Sequence, residues 1–279
     1  MINKEQKGPI ISNVNHNKVR IAQQFSRAAN TYNSAADVQL DIAFDAMTYM
    51  PSHYKNGLDI GCGTGRISQQ LSSRCDKLIA MDLAFGMLTY AKQNNSDGDP
   101  SICWLQGDAD CLPIADNSVD MVFSSMALQW SDNPSKVMSE IARVMKPCSN
   151  AVLAIMCDGS FNQLNDSWQQ IDSQRHVNDF TSALSWSDAA KYQGLKVTMQ
   201  EKQYVTWHQN IRQLLSSIKS IGANVILTNQ GLTELSKSKS KNGLNRHTLQ
   251  HLEIYYQQKY AENLQLPLTY QVCFLQCTK

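Results

Sequence analysis

The sequence predicts an α/β protein built on a doubly wound, mostly parallel sheet of seven strands. Two observations carry this prediction. From residue 56 to 157, short apolar runs alternate with helix-like stretches, the pattern of repeated strand-helix-strand units. Three glycines in Gly61-Cys62-Gly63-Thr64-Gly65 directly follow the first apolar run and precede a helix-like stretch. Such a turn lets a ligand approach the backbone at the carboxyl end of a strand.

The elements of the first half follow in order along the chain. Residues 1–18 are polar, and apolar residues at helical spacing then predict two helices, Val19–Asn30 and Ala35–Met50. Five strands are predicted at Gly57–Gly61, Lys77–Asp82, Ile102–Gly107, Val119–Ser124 and Ala151–Cys157. Helices fit between them at Arg66–Ser73, Ala84–Asn94 and Ser135–Met145. Helical crossovers between consecutive strands make the sheet parallel.

The pattern is less regular beyond residue 157. A helix is predicted at Phe161–Ile171, a loop at 172–186 and a strand at Lys196–Trp207. Apolar residues at i, i+3, i+4, i+7 and i+10 from Ile211 predict an amphipathic helix. A Lys-Ser-Lys-Ser-Lys segment at 237–241 is followed by a helix around Arg246–Tyr260 and a strand at Thr269–Cys277.

Composition limits the possible functions. With 279 residues, 42% hydrophobic and 18% charged, the chain can bury a sizeable core, and its net charge of +1 argues against a partner bound through many phosphates. No apolar run approaches the ~18–20 residues of a membrane span. The first residues lack the features of a signal or transit peptide. We therefore expect a cytoplasmic protein with neither a nucleic-acid nor a membrane partner.

Metal-ligating residues do not form a recognisable site. The eight cysteines are scattered without any C-x-x-C pair, and we expect them to be reduced core residues. His247 and His251 have the i, i+4 spacing of a zinc pair, but no third ligand is near in the sequence, so a solvated helix face is the preferred interpretation. No metal is expected.

The glycine turn differs from a dinucleotide-binding turn. Its pattern is G-x-G-x-G rather than G-x-G-x-x-G, and Asp59 stands two residues before the first glycine. A carboxylate there suits an ammonium group and not a pyrophosphate. Asp82 ends the next strand about 20 residues further on, where an acid can accept hydrogen bonds from ribose hydroxyls.

These residues resemble motif I and its neighbours in class I S-adenosylmethionine-dependent methyltransferases, which have a Rossmann-like fold. Gly107-Asp108-Ala109 matches the position that contacts adenine, and the stretches 112–120 and 144–147 are also similar. One departure is Cys148-Ser149, where the family usually has two glycines after the proline. The resemblance implies S-adenosylmethionine as cofactor, held by Asp59, Gly61, Gly63, Gly65, Asp82, Leu83, Met87, Asp108, Ala109 and Ser124.

Segments outside that core resemble the malonyl-acyl-carrier-protein O-methyltransferases of biotin synthesis. They lie at 25–32, 127–130, 167–172, 221–224 and 267–270. The implied reaction is methylation of the free carboxylate of a malonyl thioester on acyl carrier protein, with malonyl-CoA as an alternative substrate. Because a carboxyl with a pKa near ~3.9 is ionised at pH 7, the reaction needs no general base. The protein must remove water and align the reactants.

The resemblance divides the chain into an N-terminal helical cap (1–50), a cofactor-binding core (51–157) and a remainder (158–279) that completes the sheet. The remainder carries the insertions that select substrate and carrier, and the three parts form a single composite domain. Within the cap, Tyr32 is expected to lie at the reacting groups and Arg27 near the substrate. For Tyr32, core packing is an equally weighted alternative.

Other residues are expected to bind the substrate. Arg175 is the first candidate for gripping the malonyl carboxylate, because its planar fork binds carboxylates bidentately. The alternative for Arg175 is a surface position in a mobile loop, and Arg27 is then the substitute. Gln129 is expected to make a polar contact, Trp130 to form a wall, and His176 to lie beside the substrate.

A basic segment is expected to bind the acidic carrier protein, because basic residues outnumber acidic ones between 207 and 260. Its candidate residues are Lys237, Lys239, Lys241 and Arg246. The alternative is a solvated loop.

Two rival functions also stand: a class I methyltransferase for another small acid or carbon nucleophile, and a cofactor-binding protein without catalysis.

Overall fold

The computed structural model describes residues 16–33, 37–94, 101–172, 174–220 and 246–279. These residues form one seven-stranded sheet with the strand order β3-β2-β1-β4-β5-β7-β6. The strands are β1 (Tyr54–Ile60), β2 (Cys75–Asp82), β3 (Ile102–Gln106), β4 (Val119–Ser125), β5 (Met145–Met156), β6 (Lys196–His208) and β7 (Leu266–Thr278). The first five are parallel, and β7 pairs antiparallel with both β5 and β6.

Helices cover both faces of this sheet, as the prediction of a doubly wound fold requires. The described helices are α1 (His16–Tyr32), α2 (Asp37–Met47), α3 (Arg66–Ser72), α4 (Phe85–Asn94), α5 (Pro134–Val144), α6 (Asn162–Gln169), α7 (Ala183–Tyr192), α8 (Ile211–Ser220) and α9 (Arg246–Tyr260). One apolar core joins α2, α3, α6, α8 and α9 to the sheet, and a second joins α5 and α7 to its other face. The predicted fold class is confirmed. None of the described helices combines the length and the apolar character needed to span a membrane.

Helix α7 is the main error of the predicted secondary structure. Residues 172–186 were predicted as a loop, yet the helix begins at Ala183. The Ser182 hydroxyl accepts a hydrogen bond from the Ser185 amide at 3.2 Å, which caps the first turn. Trp186 and Ala190 are fully buried. The buried face of α7 is difficult to recognise in the sequence, because it has few large apolar side chains and polar residues lie between them.

Strand β5 is also longer than predicted, since it begins at Met145 rather than Ala151. Its first residues pair with β4 through an irregular register near Val119. Two other expectations lie outside the described residues: the segment 221–224 and the lysine-serine segment at 237–241.

The strand order reverses between β1 and β4, which run side by side while their connections leave in opposite directions. At such a switch point the loops at the carboxyl ends of the two strands diverge and leave a crevice. The glycine turn follows β1 and the segment Met126-Ala127-Leu128 follows β4, so both border this crevice. Helix α1 packs against α4 through a small apolar cluster.

Candidate functional site

A cavity with a volume of about 110 Å³ lies in the crevice at the carboxyl ends of β1, β2, β3 and β4. Its floor consists of loop residues from these strands, and its roof consists of Ile21, Ala22 and Phe25 on α1. Nine residues expected to contact the cofactor or the substrate line it, among them Tyr32, Gly61, Gly63, Asp82, Leu83, Met87 and Trp130. Asp108 and Ala109 line it as well. The cavity is therefore the candidate active site.

The glycine turn leaves room for a ligand because of its backbone conformation. Gly61, Gly63 and Gly65 have φ angles of 77°, 54° and 79°, which place them in the left-handed region that disfavours side chains. A Cβ atom on Gly61 would lie 2.1 Å from the Cβ of Ala127, whereas one on Gly63 would meet nothing within 4 Å. Gly61 thus allows close packing against the loop after β4.

Asp82 holds this turn from the end of β2. One carboxylate oxygen accepts a hydrogen bond from the Gly63 amide at 2.9 Å, and the other accepts one from the Ala84 amide at 2.7 Å. Burial raises the pKa of Asp82, and these backbone hydrogen bonds oppose that effect. Each carboxylate oxygen can accept a second hydrogen bond, so Asp82 can bind two ribose hydroxyls while keeping the turn in place.

Asp59 lies beneath the turn and is 2% exposed. The Ser68 hydroxyl donates a hydrogen bond to its carboxylate at 2.6 Å. Burial raises the pKa of Asp59 to about 7, the Ser68 hydrogen bond opposes this, and the charge of Asp82 adds to it. A buried carboxylate that ionises only near neutral pH stabilises a cationic group brought beside it.

Asp59 does not line the first cavity but a second one of about 70 Å³ that adjoins it. The two cavities share the walls Tyr32, Gly61, Gly63, Ser125 and Met126. Gln39 on α2 and Arg66 at the start of α3 also line the second cavity. Cys62, in the centre of the glycine turn, borders it with a buried thiol whose pKa is raised, mainly by burial and also by the charges of Asp82 and Asp59.

Aromatic rings close the roof of the first cavity. The Phe25 ring meets the Trp130 ring edge-on at 5.6 Å between centroids and lies 6.4 Å from the Tyr32 ring. Burial raises the pKa of Tyr32, and the charge of Asp82 adds to this effect. Its phenol is therefore protonated at neutral pH and can donate a hydrogen bond into either cavity.

A polar network fastens α1 over the cavity. The Lys18 ammonium lies 2.5 Å from a carboxylate oxygen of Asp108 and 2.7 Å from one of Asp110. Asp110 in turn accepts a hydrogen bond from the Ser131 hydroxyl at 2.6 Å, which reaches the loop after β4. The Lys18 side chain is 14% exposed, so these ion pairs are largely shielded from water. One lysine thus ties the roof to two loops of the site.

We expect Lys18→Met to lower the free energy of unfolding by about 1–3 kcal/mol, because two partly buried carboxylates lose a charged hydrogen-bond donor. Urea unfolding at low ionic strength measures this. The matched control is Lys136→Met, since Lys136 is an exposed lysine on α5. Equal losses for the two variants would contradict the role given to Lys18. Protease cleavage within α1 should also become faster in Lys18→Met alone.

Three predicted site residues, two of them expected cofactor contacts and one an expected polar contact to the reactants, have other surroundings than expected. The Ser124 hydroxyl is fully buried and donates to the Ile60 carbonyl at 2.7 Å, and it is Ser125 that lines the cavities. Gly65 precedes α3, where its amide donates to the Cys62 carbonyl at 3.0 Å. Gln129 is buried and donates to the Met126 carbonyl at 2.7 Å, so it supports the loop after β4.

Apart from Trp130, the residues predicted to bind the substrate or the carrier are not brought together at the cavity. Arg175 is 40% exposed and pairs with Asp179. The His176 ring stacks on Trp168 at 3.9 Å and binds the Asp172 carboxylate at 2.9 Å. Arg27 is exposed and lines an outer groove beside α1, and Arg246 is exposed at the start of α9. Lys237, Lys239 and Lys241 lie outside the described residues.

The cysteines and histidines form no metal cluster in the described parts of the chain. All eight cysteines are free thiols there, and five of them are buried. Cys103, Cys111 and Cys148 are exposed, so the expectation that the cysteines belong to the core was wrong for these three. His247 and His251 lie side by side on α9, with 4.0 Å between ring centroids.

Comparison with known proteins gives related sequences and a shared fold. A family model described as a methyltransferase domain matches residues 58–153. A malonyl-[acyl-carrier protein] O-methyltransferase of Yersinia pestis is 37% identical over 213 residues, which cover 75% of this chain and 77% of that protein. A biotin biosynthesis bifunctional protein BioHC of Cellvibrio japonicus is 34% identical over 263 residues, which cover 92% of this chain. This chain spans about half of the length of that relative, because the same residues cover 49% of it. The YcgJ protein of Bacillus subtilis has the same fold, with a TM-score of 0.59 and 17% identity over 85% of this chain and 97% of that one.

Proposed function

The chain belongs to the malonyl-acyl-carrier-protein O-methyltransferase family, and we propose that it methylates the free carboxylate of a malonyl thioester on acyl carrier protein. The methyl donor is S-adenosylmethionine, and the product is the methyl ester that primes biotin synthesis. The observation that carries the proposal is the 37% identity to the Yersinia pestis methyltransferase over 75% of the chain, well beyond the segment matched by the general domain model.

The cavity fits the cofactor. Asp82, proposed to accept hydrogen bonds from the ribose, lines the cavity together with Asp108 and Ala109, which are proposed to contact the adenine. Gly61 and Gly63 of the glycine turn line the cavity without side chains, so a ligand can contact their backbone directly. S-adenosylmethionine, when bound, supplies an electrophilic methyl group on a sulfonium.

The residues of the chain then have to exclude water and orient the carboxylate. Phe25 and Trp130 cover the cavity with apolar rings, which strengthens polar interactions inside it. The Tyr32 phenol, kept protonated by burial, can donate a hydrogen bond to one oxygen of the malonyl carboxylate and leave the other oxygen to attack. A donor of this kind orients the nucleophile without neutralising it.

Arg175 is a second candidate for contacting the substrate carboxylate. Its guanidinium pairs with Asp179, and it lines neither of the two cavities described above. A guanidinium has five N–H donors, so Arg175 can keep this ion pair and still donate to a substrate carboxylate brought to it. We therefore place the first contact on Tyr32 and regard Arg175 as a second one that forms with the thioester bound.

Tyr32→Phe should lower kcat/KM for malonyl-carrier protein by about 10- to 100-fold, the effect of losing a hydrogen bond of about 1.5–3 kcal/mol to a charged group. The variant retains the ring that packs against Phe25. Affinity for S-adenosylhomocysteine, measured by calorimetry, should stay unchanged. If that affinity falls and the KM for the thioester does not change, Tyr32 serves the cofactor instead.

The reaction itself is tested by incubating the protein with S-adenosylmethionine and malonyl-carrier protein, malonyl-CoA or acetyl-carrier protein, followed by mass spectrometry of the thioester. The expected result is a malonyl thioester heavier by one CH₂ unit, because a methyl group replaces the proton of the free carboxyl group. Acetyl-carrier protein lacks the carboxylate and should stay unmodified. Absence of a methyl ester on both malonyl thioesters would reject the proposed substrate.

The carrier protein is proposed to dock on the basic segment that includes Lys237, Lys239, Lys241 and Arg246. Opposite charges speed the encounter of two proteins, and salt weakens this effect. Comparing malonyl-carrier protein with malonyl-CoA at several salt concentrations separates docking of the carrier from binding of the thioester. Charge reversal of these four residues should raise the KM only for the carrier-bound substrate.

A further inference from the structure

In class I methyltransferases the glycine turn holds the amino-acid end of the cofactor, and the second cavity lies against this turn. We propose that Gln39, on α2, is a further residue that binds this end of the cofactor and helps to determine specificity for it. The proposal rests on the cofactor part of the proposed function, not on the malonyl substrate. Nothing in the sequence motifs points to Gln39, which lies about 20 residues before the glycine turn on a separate helix.

Charged groups of both signs line this cavity. Asp59 is buried at the end of β1, and Arg66 stands at the start of α3. The Arg66 guanidinium donates one hydrogen bond to the Asn33 carbonyl at 3.0 Å, and a guanidinium has five N–H donors in total. A zwitterionic amino acid carries an ammonium that suits Asp59 and a carboxylate that suits Arg66.

Two buried polar atoms of the cavity wall have no hydrogen-bond partner among the residues that the structure describes: the side-chain oxygens of Gln39 and Ser125. Gln39 is only 9% exposed. A buried polar atom left unpaired costs about 1–3 kcal/mol, so proteins keep few of them. An ammonium group can donate to both oxygens, which would satisfy them when the ligand is present.

The position of the cavity supports the same ligand. Because Gly61, Gly63 and Tyr32 form walls of both cavities, one elongated molecule can pass over the glycine turn from the first into the second. The first cavity has Asp82 and Asp108 for an adenosine group. The second is smaller, at about 70 Å³ against about 110 Å³, as an amino-acid end requires.

The test compares two ligands that differ only at the amino-acid end: S-adenosylhomocysteine, and 5′-methylthioadenosine, which lacks that end. Calorimetry measures the affinities of the unmodified protein and of Gln39→Leu for both. We expect Gln39→Leu to bind S-adenosylhomocysteine about tenfold or more weakly, the equivalent of one lost hydrogen bond to a charged group, and to bind methylthioadenosine unchanged. Gln70→Leu, an exposed change on α3, should leave both affinities unaltered.

Thermal unfolding without ligand distinguishes a binding role from a structural one. Leucine has a volume close to that of glutamine and removes the unpaired oxygen, so Gln39→Leu should unfold at the same or a higher temperature. An equal loss of affinity for both ligands, or no loss for either, would overturn the proposal. So would unchanged affinities together with a raised KM for the malonyl thioester, because the cavity would then belong to the substrate. Failure of the unmodified protein to bind S-adenosylhomocysteine would instead reject the cofactor, and the methyl-ester assay tests the substrate separately.

Discussion

Gly61→Ala is expected to destabilise the protein by about 2–5 kcal/mol and to abolish cofactor binding. A left-handed conformation costs an L-residue about 1–2 kcal/mol, and forcing an extra methyl group into a packed site costs about 1–3 kcal/mol more. Both costs apply at Gly61, whose φ is 77° and whose Cβ would lie 2.1 Å from the Cβ of Ala127. Urea unfolding and titration with S-adenosylhomocysteine measure the two effects.

Gly63→Ala is the matched control, because Gly63 also has a positive φ of 54° but a Cβ there would meet nothing within 4 Å. It should show only the conformational cost of about 1–2 kcal/mol. The double variant Gly61→Ala with Ala127→Gly removes the clashing methyl group and should recover part of the lost stability. Equal losses for the two single variants would show that contact with Ala127 does not limit the turn.

Asp59→Asn is expected to stabilise the ligand-free protein above pH 7 while weakening its cofactor binding. Burial raises the pKa of Asp59 to about 7 in the folded state, whereas an unfolded aspartate titrates near pKa ~3.9. Between these values the folded protein holds more protons than the unfolded chain, so stability falls as the pH rises from about 4 to 7. The full penalty is on the order of 4 kcal/mol at pH 8, and asparagine cannot ionise and avoids it.

Unfolding temperatures at pH 5 and pH 8 test this prediction. From pH 5 to pH 8, the unfolding temperature of the unmodified protein should fall more than that of Asp59→Asn. The variant should also bind S-adenosylhomocysteine more weakly than the unmodified protein at pH 8. The ligand ammonium favours the ionised carboxylate, so binding to the unmodified protein should release a proton near pH 6. If both proteins show the same pH dependence, Asp59 ionises normally and the electrostatic account of this cavity is wrong.

The sheet and the floor of the cavity could be predicted from sequence because their signals are local. A glycine turn after an apolar strand, with Asp82 at the end of the next one, fixes the carboxyl edge of a parallel sheet. These local signals could not show which of Ser124 and Ser125 lines the cavity. Neighbouring strand residues face opposite sides, so an error of one residue exchanges a buried hydroxyl for one that lines the cavity.

The roof and the second cavity could not be predicted, because contacts between residues far apart in the chain create them. Lys18 meets Asp108 only when α1 packs over the sheet, and neither residue carries a local pattern that indicates the other. Gln39 likewise looks like an ordinary polar residue of an amphipathic helix. Arg175 has the chemistry and the loop position expected of a carboxylate-binding residue, but the fold of that loop pairs it with Asp179.

The environment of Cys62 has a consequence for the lifetime of the enzyme. This thiol lies in the glycine turn, beside the place proposed for a reactive methyl donor. The nucleophilic form of cysteine is the thiolate, and burial together with the charges of Asp82 and Asp59 keeps the pKa of Cys62 well above its usual value. Burial and the two carboxylates proposed to bind the ligand thus favour the protonated, unreactive form of the thiol. We therefore expect Cys62 to resist alkylation by a methyl donor bound beside it.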